Sequence, residues 1–460
     1  MKHLILVIAI LINVCSAYSD LRDIKSASDY LIIYHSEFKD EIQQFADWRE
    51  SKGLKVLAVD LSTVYNEFSN NGQLDTSKSI LEYTNFIIEN WKSHKLKYLL
   101  LVGSINHIPS NTIKSHFYGN PVFDEDSVNT DILYAALKDN AEKKSYFAVG
   151  RFPARNVAEL SSMIYKTYQY EDNFYSMDYK SDVVFLTDIE DSSLFNTIAR
   201  DNMTFYANQE RCKILNFTKE KPVSDFRNDM AKELSEGTAM FSYIGHGHPK
   251  KWSRSIIVDT DYLDTLHLSS KPFLFYSITC SQAFDDPEEK GIVEYLVSME
   301  YQGAVASVAS SGITFLSESN IFNRFFLIGL IENDNHTIGN AMLYTAEKQD
   351  YDYGANLFNL LGDPALKVPF DVIASAYENE YSEKLSVYPN PANDFITIDL
   401  SAFTGDIDIS VFDIRGSRLI QKSVYQNVPY TFNLNSISAG NYFLVIKCGD
   451  NTVVKSFIKY

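Results

Sequence analysis

Cysteine is scarce in this sequence, which has four cysteines among 460 residues. Cys15 lies in the apolar N-terminal segment, and the other three, Cys212, Cys280 and Cys448, are far apart along the chain. The three cysteines outside the N-terminal segment are odd in number and widely spaced. Such a set excludes a fold stabilised mainly by disulfides, and it leaves at least one thiol unpaired.

Positive charge is also in short supply. Lys and Arg number 41 against 60 Asp and Glu, and the formal net charge is −19. Because phosphates and anionic headgroups would be repelled, we expect neither nucleic acid nor an anionic membrane surface as a partner.

Long apolar runs are missing beyond the N-terminus. No later stretch reaches the roughly 18 residues that a membrane helix needs, so we expect no transmembrane segment in the mature protein.

The N-terminus has the pattern of an export signal. Lys2 precedes an apolar core from Leu4 to Val14, and small residues follow. The pattern predicts a signal peptide over residues 1–17, cleaved after Ala17. A lipoprotein signal ending at Cys15 is the alternative, although Val14 stands where a small residue is usual. A free thiol in an exported protein calls for a function.

Residues 18–370 are predicted to form one α/β domain, because short apolar strands alternate with amphipathic helices from about residue 27. Most strand segments are continuously apolar, which is typical of strands buried on both faces. The alternation predicts a mostly parallel sheet with helices on both faces. The predicted strands are 30–35, 54–61, 97–103, 146–151, 182–188, 239–247, 272–280 and 303–310, and helices are predicted at 40–51, 79–91 and 223–236.

The C-terminal part of the chain has a different pattern. Residues 371–383 are polar and acidic, which predicts a linker. Residues 384–460 contain seven short β runs, from "LSVYPN" to "TVVKSFIKY", with turn residues between them and no helical period. This spacing predicts a small all-β sandwich domain.

Three polar residues stand where predicted strands end. Asp188 closes "VVFLTD", His246 lies between two glycines after "FSYI", and Cys280 closes "PFLFYSITC". In parallel sheets, ligands usually bind beyond the carboxyl ends of the strands, so we expect these three residues at one site. Glycines on both sides of His246 predict a sharp turn with backbone angles that other residues resist.

These residue types suit nucleophilic catalysis. A thiolate attacks a carbonyl carbon, an imidazole handles the proton, and a carboxylate orients the imidazole. The main-chain N–H groups of Gly247 and Cys280 are candidates for an oxyanion hole. Alternatives stay open: Cys280 as a buried core thiol, Asp188 as a turn or helix-cap aspartate, and a zinc site on His246, His248 and Cys280.

Several segments together resemble the gingipain family of cysteine peptidases, which belongs to the caspase-like clan. "YIGHG" with Trp252 six residues after the histidine resembles that family's histidine motif. The likeness covers roughly residues 28–370 in the same order. It rests further on "YLIIYHSEFKDEIQQFADWRESKGLKV" (30–56), "YLLLVGSINHIPS" (98–110), "DILYAAL" (131–137), "AVGRFPARNVAEL" (148–160), "GAVASVASS" (303–311) and "FNLLGDPAL" (358–366).

The resemblance implies roles at matching positions. Cys280 would be the nucleophile, His246 the general base and acid, and Gly247 with Cys280 the oxyanion hole. Asp188 fits the family's acidic residue best, although Glu190 and Asp191 follow at once. His248 stands where the family usually has a small polar residue, and we expect it either to contact substrate or to face solvent. Trp252, in the same loop, is expected either to line the substrate cleft or to anchor the loop to the core.

Cofactors and specificity are less well defined by the sequence. The resemblance implies no cofactor for catalysis, and structural calcium cannot be read from the residues. The helix near 194–205 lacks a clear match to the acidic specificity residue of arginine-cleaving relatives, so the resemblance does not imply an Arg or Lys preference, and the side chain preferred beside the scissile bond stays open.

The last segment resembles the C-terminal sorting domain of type IX secretion in Bacteroidetes. The likeness rests on "LSVYPNPANDFITIDL" (385–400), "VFDIRGSRLI" (411–420) and "LNSISAGNYFLVI" (434–446). It implies a protein exported by its signal peptide and the type IX machinery, then secreted or attached to the cell surface at the outer membrane. The two resemblances together predict an exported cysteine endopeptidase that acts on protein or peptide substrates. A transpeptidase of the same fold and a catalytically silent surface binding protein are the alternatives.

Overall fold

The computed structural model describes most of the chain. The residues it describes are 20–69, 76–92, 95–120, 125–137, 144–206, 209–218, 220–283, 288–332, 337–349, 353–368, 385–413, 418–425, 428–448 and 451–460. The predicted signal peptide, 1–17, and the predicted linker, 371–383, lie outside these residues, so both stay predictions, as do the domain boundaries drawn from them.

The first part of the chain alternates strands and helices, as the apolar pattern predicts. Its helices are α1 (Lys39–Ser51), α2 (Leu61–Phe68), α3 (Thr76–Asn90), α4 (Val157–Asn173), α5 (Ser192–Met203), α6 (Val223–Glu236), α7 (Thr260–Asp264), α8 (Ile292–Ser298), α9 (Leu316–Glu332), α10 (Ile338–Lys348) and α11 (Tyr353–Leu357). Its strands are β1 (Tyr30–Tyr34), β2 (Val56–Asp60), β3 (Tyr98–Val102), β4 (Asn111–Lys114), β5 (Ser127–Thr130), β6 (Ala148–Phe152), β7 (Ser181–Thr187), β8 (Cys212–Asn216), β9 (Thr238–Ile244), β10 (Gly247–His248), β11 (Lys251–Trp252), β12 (Val258–Asp259), β13 (Phe273–Ile278), β14 (Ala304–Ser310) and β15 (Phe358–Leu361).

A ten-stranded sheet organises this part, in the order β2-β1-β3-β6-β15-β14-β13-β9-β7-β8. Strands β2, β1, β3 and β6 are parallel to one another, as are β14, β13, β9, β7 and β8. Strand β15 runs antiparallel to β14 and meets β6 at the pair Leu361 and Arg151. The predicted mostly parallel sheet is therefore confirmed.

Helices cover both faces of the sheet. In β7, Val184 and Leu186 join a core cluster that includes Phe226 of α6, whereas Val183 joins a second cluster with Phe195 of α5. Successive side chains of a strand point to opposite faces, so the two clusters lie on opposite sides of the sheet. This double burial explains why the strand segments are continuously apolar.

The loops after β3, β6 and β13 lie on one side of the sheet and contact one another in succession. The Ser104 N–H donates to the Ala154 carbonyl at 2.9 Å. Arg155 in turn donates from Nη1 to the Glu288 carbonyl, also at 2.9 Å. Segments that follow β3, β6 and β13 are therefore in contact on one side of the sheet.

The C-terminal part is all β, as predicted. Its strands are β16 (Val387–Tyr388), β17 (Phe395–Ile398), β18 (Ile407–Asp413), β19 (Arg418–Val424), β20 (Tyr430–Asn433), β21 (Gly440–Cys448) and β22 (Asn451–Lys459). They form two sheets, β16-β17-β20 and β19-β18-β21-β22. Ile396 and Phe432 of the first sheet share a core with Ile409 and Leu444 of the second, which makes the unit a sandwich.

Candidate active site

Three neighbouring strands end at the same level of the sheet. Thr187 of β7 is paired with Ile244 of β9, and Ile244 is paired with Ile278 of β13. The chain leaves these strands through Asp188, through Gly245 and His246, and through Thr279 and Cys280. The register of these three strands therefore brings the three polar residues to the same edge of the sheet, where the sequence predicts that they meet.

The two glycines beside His246 allow close packing rather than unusual backbone angles. A Cβ at Gly245 would clash with the Asp188 side chain, and a Cβ at Gly247 would clash with the Cys280 carbonyl and Thr279 Oγ1. Neither glycine has a positive φ, which corrects the conformational reason inferred from the sequence. The glycines bring the histidine loop against the acidic loop on one side and the cysteine loop on the other.

The main chain of His246 is fixed on both sides. Its N–H donates to Asp188 Oδ2 at 3.0 Å, and its carbonyl accepts from the Tyr243 hydroxyl at 2.7 Å and the Ser253 N–H at 2.8 Å. Asp188 is fully buried, and it also lies 3.3 Å from the Tyr243 hydroxyl. A buried carboxylate needs such donors, so Asp188 and the histidine loop stabilise each other.

The imidazole faces a different acid. His246 Nε2 lies 3.5 Å from Asp191 Oδ2, and the ring packs edge-on against Phe195. Asp188 is the acid that fits the predicted role of orienting the ring best, but its hydrogen bond goes to the main chain of His246 instead. The difference arises because Asp188 points inward at the strand end, whereas Asp191 caps α5 with a left-handed backbone.

The Cys280 thiol is half-buried and donates to the Thr314 carbonyl at 3.3 Å. Burial raises the pKa of this thiol, and the contacts with Thr314 oppose the rise. The Cys212 thiol is buried further, and burial raises its pKa to about 12. Of the described cysteines, Cys280 alone is not fully buried. A neutral Cys280 thiol must therefore lose its proton to a nearby base before it can attack.

The segment after Cys280 is held by main-chain bonds to the end of β14. Ser281, which has a φ of 43°, donates to the Gly312 carbonyl at 2.9 Å, and Gln282 donates to that of Ser310 at 2.6 Å. The Gln282 carboxamide is fully buried close to Gly247, and neither of its polar atoms has a hydrogen-bond partner among the described residues. An unpaired buried amide beside a candidate nucleophile is a donor available to a ligand.

Backbone strain collects around the site. Asp191, Ser253, Ile256 and Ser281 all have positive φ values between 43° and 66°. They lie in the loops that follow β7, β11 and β13. Left-handed backbone in non-glycine residues is costly, and it is typical of functional loops held by their surroundings.

Trp252 and His248 differ in their surroundings. Trp252 is fully buried and stacks on Tyr243 and Phe275 at centroid distances of 4.8 and 5.5 Å. It has no exposed surface for a substrate, so the structure favours its role as an anchor of the histidine loop. His248 is exposed in the short β10–β11 hairpin, and its role as a substrate contact stays a prediction.

The alternative of a zinc site at this position has no support in the geometry. Within the described ranges, the candidate ligands that converge are His35, Glu37 and His107, and not His246, His248 and Cys280.

Two residues of the site, Thr314 and Tyr243, are not indicated by the sequence analysis. Asp191 is one of the acids that the sequence leaves open beside Asp188. The acidic run 188–191 was the available signal for Asp191. Nothing local marks Thr314, because it reaches Cys280 from the loop after another strand.

Comparisons with known proteins show the family to which this chain belongs. The model of peptidase family C25 matches residues 23–369, and that of the secretion system C-terminal sorting domain matches residues 386–460. Gingipain R2 of Porphyromonas gingivalis (strain ATCC BAA-308 / W83) is 21% identical over 374 residues. That alignment covers 74% of this chain but 45% of the relative, so the chain spans less than half of that protein's length.

Solved structures show the fold. The crystal structure of the Arg-specific cysteine proteinase gingipain R (RGPB) superposes with a TM-score of 0.60 at 17% identity, covering 95% of this chain and 98% of that one. The complex of Porphyromonas gingivalis RgpB pro- and mature domains gives the same TM-score and identity, covering 94% of this chain and 100% of that one.

No helix among the described residues is long and apolar enough to cross a membrane. The family model spans most of the chain, and its match coincides with the α/β unit whose strand ends carry Asp188, His246 and Cys280. The chain belongs to peptidase family C25, the gingipain family of cysteine peptidases, and it carries a secretion system sorting domain after the peptidase unit.

Proposed function

We propose that this protein is an exported cysteine endopeptidase that cleaves peptide bonds through Cys280 and His246. One observation carries the proposal: Gly247 packs directly on the Cys280 carbonyl and the Thr279 hydroxyl, which brings the loop of the candidate base against that of the candidate nucleophile. The family supports a cysteine peptidase, and the residues at the strand ends supply its chemistry.

The proton path follows from the state of the thiol. Burial raises the pKa of Cys280, so the thiol is neutral before substrate binds. His246 takes this proton as Sγ attacks the scissile carbonyl carbon, and the bond between sulfur and carbon forms. His246 then gives the proton to the leaving amine as the C–N bond breaks. Water, deprotonated by His246, hydrolyses the acyl-enzyme, releases the carboxylic acid and restores the thiol.

Three groups would support this chemistry. Asp191 orients the ring and stabilises its charge, as an acid does in a triad. Asp188 fixes the main chain from which the ring projects. The N–H groups of Gly247 and Cys280 would stabilise the oxyanion, with the unpaired Gln282 amide as a further donor to substrate.

Export and location are also part of the proposal. The C-terminal sorting domain supports passage through the type IX machinery, and the N-terminal pattern supports a signal peptide. The mature enzyme would act outside the cell or on its surface, on protein or peptide substrates.

The test is cleavage of a peptide library, read by mass spectrometry. Wild-type protein and Cys448→Ser, a control in the sorting domain, are expected to cleave the same bonds. Cys280→Ala and His246→Ala are expected to lose cleavage by at least about a thousandfold. Cleavage that persists in Cys280→Ala would overturn the mechanism. Products joined to an added amine would indicate a transpeptidase, and no cleavage by any variant would favour a binding protein.

A further inference from the structure

A second set of polar side chains lies at the ends of β1 and β3. His35 follows β1, Glu37 comes two residues later, and His107 lies in the turn after β3. One ligand atom from each lies within 4.8 Å of the other two. The three residues come from two segments some 70 positions apart in sequence, and strand pairing between β1 and β3 brings them together.

The His107 ring is already oriented. Its Nδ1 lies 2.9 Å from the hydroxyl of Ser104, which is buried, and its Nε2 lies 3.6 Å from Glu37 Oε2. When Nδ1–H donates to the hydroxyl, the Nε2 lone pair points toward Glu37. This is the arrangement of histidines that bind metals, whose second nitrogen is held by a polar neighbour.

The turn that carries His107 is built rigidly. Gly103 has a φ of 137°, and a Cβ there would clash with the Cβ of His107 at 2.6 Å. Arg151 Nη1 donates to the carbonyls of Gly103 and Ile108, both at 2.8 Å, while its other nitrogens form a buried pair with Asp131. The sequence therefore fixes both ends of the turn, with His107 between them.

His35 completes the set. Its ring centroid lies 4.9 Å from that of His107, and its Nδ1 is buried without a hydrogen-bond partner among the described residues. Buried polar atoms are almost always paired, so a buried imidazole nitrogen without a protein partner, on a ring packed against a second histidine, suits a metal ligand. A cation bound through this nitrogen would satisfy it.

We propose that His35, Glu37 and His107 bind a divalent transition metal, Zn²⁺, with water as the fourth ligand. Two imidazoles and one carboxylate are a donor set that zinc prefers. In a tetrahedral zinc site, bonds of roughly 2.0–2.1 Å place ligand atoms about 3.3 Å apart. The 3.6 Å between His107 and Glu37 needs only a small side-chain adjustment. Glu37 is exposed, which leaves room for the water.

The ion would be separate from the catalytic residues. Four strand spacings separate β3 from β13 in the sheet, or roughly 19 Å. The metal would clamp the loop between β1 and α1 to the turn after β3. It would stabilise the fold without taking part in peptide cleavage.

The test measures Zn²⁺ affinity by competition with a chromophoric chelator, and Co²⁺ binding by its visible absorption. The full chain carries Cys280→Ala throughout, so that the candidate nucleophile cannot bind the metal. We expect one equivalent of Zn²⁺ per chain and a higher thermal midpoint with metal than without. His35→Ala, Glu37→Gln and His107→Ala should each weaken binding at least about tenfold, and Ser104→Ala by about tenfold.

Matched controls make the outcome decisive. His267→Ala and His248→Ala remove exposed histidines elsewhere and should leave Zn²⁺ affinity unchanged. The metal-free thermal midpoint of each variant shows that it is folded, so that lost binding reports the site. Absence of binding, or Zn²⁺ affinity that is unchanged in both His35→Ala and His107→Ala, would overturn the proposal. So would loss of binding in His248→Ala alone.

Discussion

At the scale of single residues, His246 is positioned mainly through its own main chain. Asp188 holds its N–H, while Tyr243 and Ser253 hold its carbonyl. The ring itself is touched by Phe195 and faces the exposed carboxylate of Asp191. The two acids after β7 therefore have different tasks, and substitutions should separate them.

Asp191→Asn is expected to lower kcat by about tenfold with little change in KM, because an exposed acid assists the imidazole only modestly. Asp188→Ala should lose far more activity and also destabilise the protein, since the His246 N–H loses its acceptor. Asp188→Asn keeps an oxygen for that N–H and should fall between the two. Steady-state kinetics with thermal unfolding checks this. Equal losses in Asp188→Asn and Asp188→Ala, with none in Asp191→Asn, would restore Asp188 as the ring's partner.

Gly247→Ala should abolish activity while leaving the rest of the fold intact. The added methyl meets the Cys280 carbonyl and Thr279 Oγ1, so the histidine and cysteine loops must separate. Gly440→Ala is the matched control, because its Cβ would find its nearest neighbour at 3.6 Å, an ordinary contact. Peptide cleavage and circular dichroism are the measurements, and full activity in Gly247→Ala would contradict the close packing of the two loops.

At the scale of secondary-structure elements, the eight predicted strands of the sheet are all present, because most of them are continuously apolar runs. Strand β8 was missed since "CKILN" is only partly buried at the sheet edge and carries a lysine. Strand β15 was missed because "FNLL" is four residues long and directly follows α11, where a short apolar run does not distinguish a strand from a helix.

The candidate site was predictable to a similar degree. Strand ends placed His246 and Cys280 together from sequence alone. The acid was uncertain by a few residues, because the direction of a side chain after a strand depends on the loop. Contacts that come from other elements, such as Thr314 on Cys280, have no local signal in the sequence.

Helix α8 contains a buried acid that should make stability depend on pH. Burial raises the pKa of Glu294 to about 7, and the Gly291 N–H, Arg155, Arg151 and Lys290 only partly oppose the rise. The unfolded chain loses this proton near 4.5, so between about pH 4.5 and 7 the folded state holds more protons and stability falls as pH rises. The contribution is present below that window and lost above it.

Glu294→Gln should remove this dependence. The amide keeps an acceptor for the Gly291 N–H, which Glu294 binds at 2.9 Å, and it carries no charge to desolvate. As the pH rises from 5 to 8, we expect the free energy of unfolding of the variant to increase relative to that of wild type by up to about 3 kcal/mol. Unfolding free energies at the two pH values measure it, with exposed Glu300→Gln as the control. The same difference at both pH values would contradict the prediction.

At the scale of the whole molecule, buried ion pairs join segments that carry the family likeness. Asp363 of "FNLLGDPAL" is fully buried and binds Arg49 of α1 and the Tyr30 hydroxyl of β1. Arg49 also binds Glu171 of α4 at 2.8 Å. One network thus joins elements from both ends of the peptidase unit.

Arg49→Met should destabilise this unit by about 3–5 kcal/mol, because it leaves buried Asp363 without its cation. Lys52→Ala is the control, since it breaks an exposed pair with Asp172 that is worth no more than about 1 kcal/mol. All three tryptophans of the chain, at 48, 91 and 252, lie in the peptidase unit, so their fluorescence during denaturation reports this unit alone. Equal denaturation midpoints for the two variants would contradict the network's role.

The most direct test of the account is the labelling rate of each cysteine by a peptidyl acyloxymethyl ketone, followed by mass spectrometry. Wild-type protein, His246→Ala and the control His267→Ala, which removes an exposed histidine outside the candidate site, would be compared, with buried Cys212 as an internal reference. We predict rapid labelling at Cys280 alone, a fall of at least about a hundredfold in His246→Ala, and no change in His267→Ala. Equal labelling of Cys280 in wild type and His246→Ala would contradict a working Cys280–His246 pair.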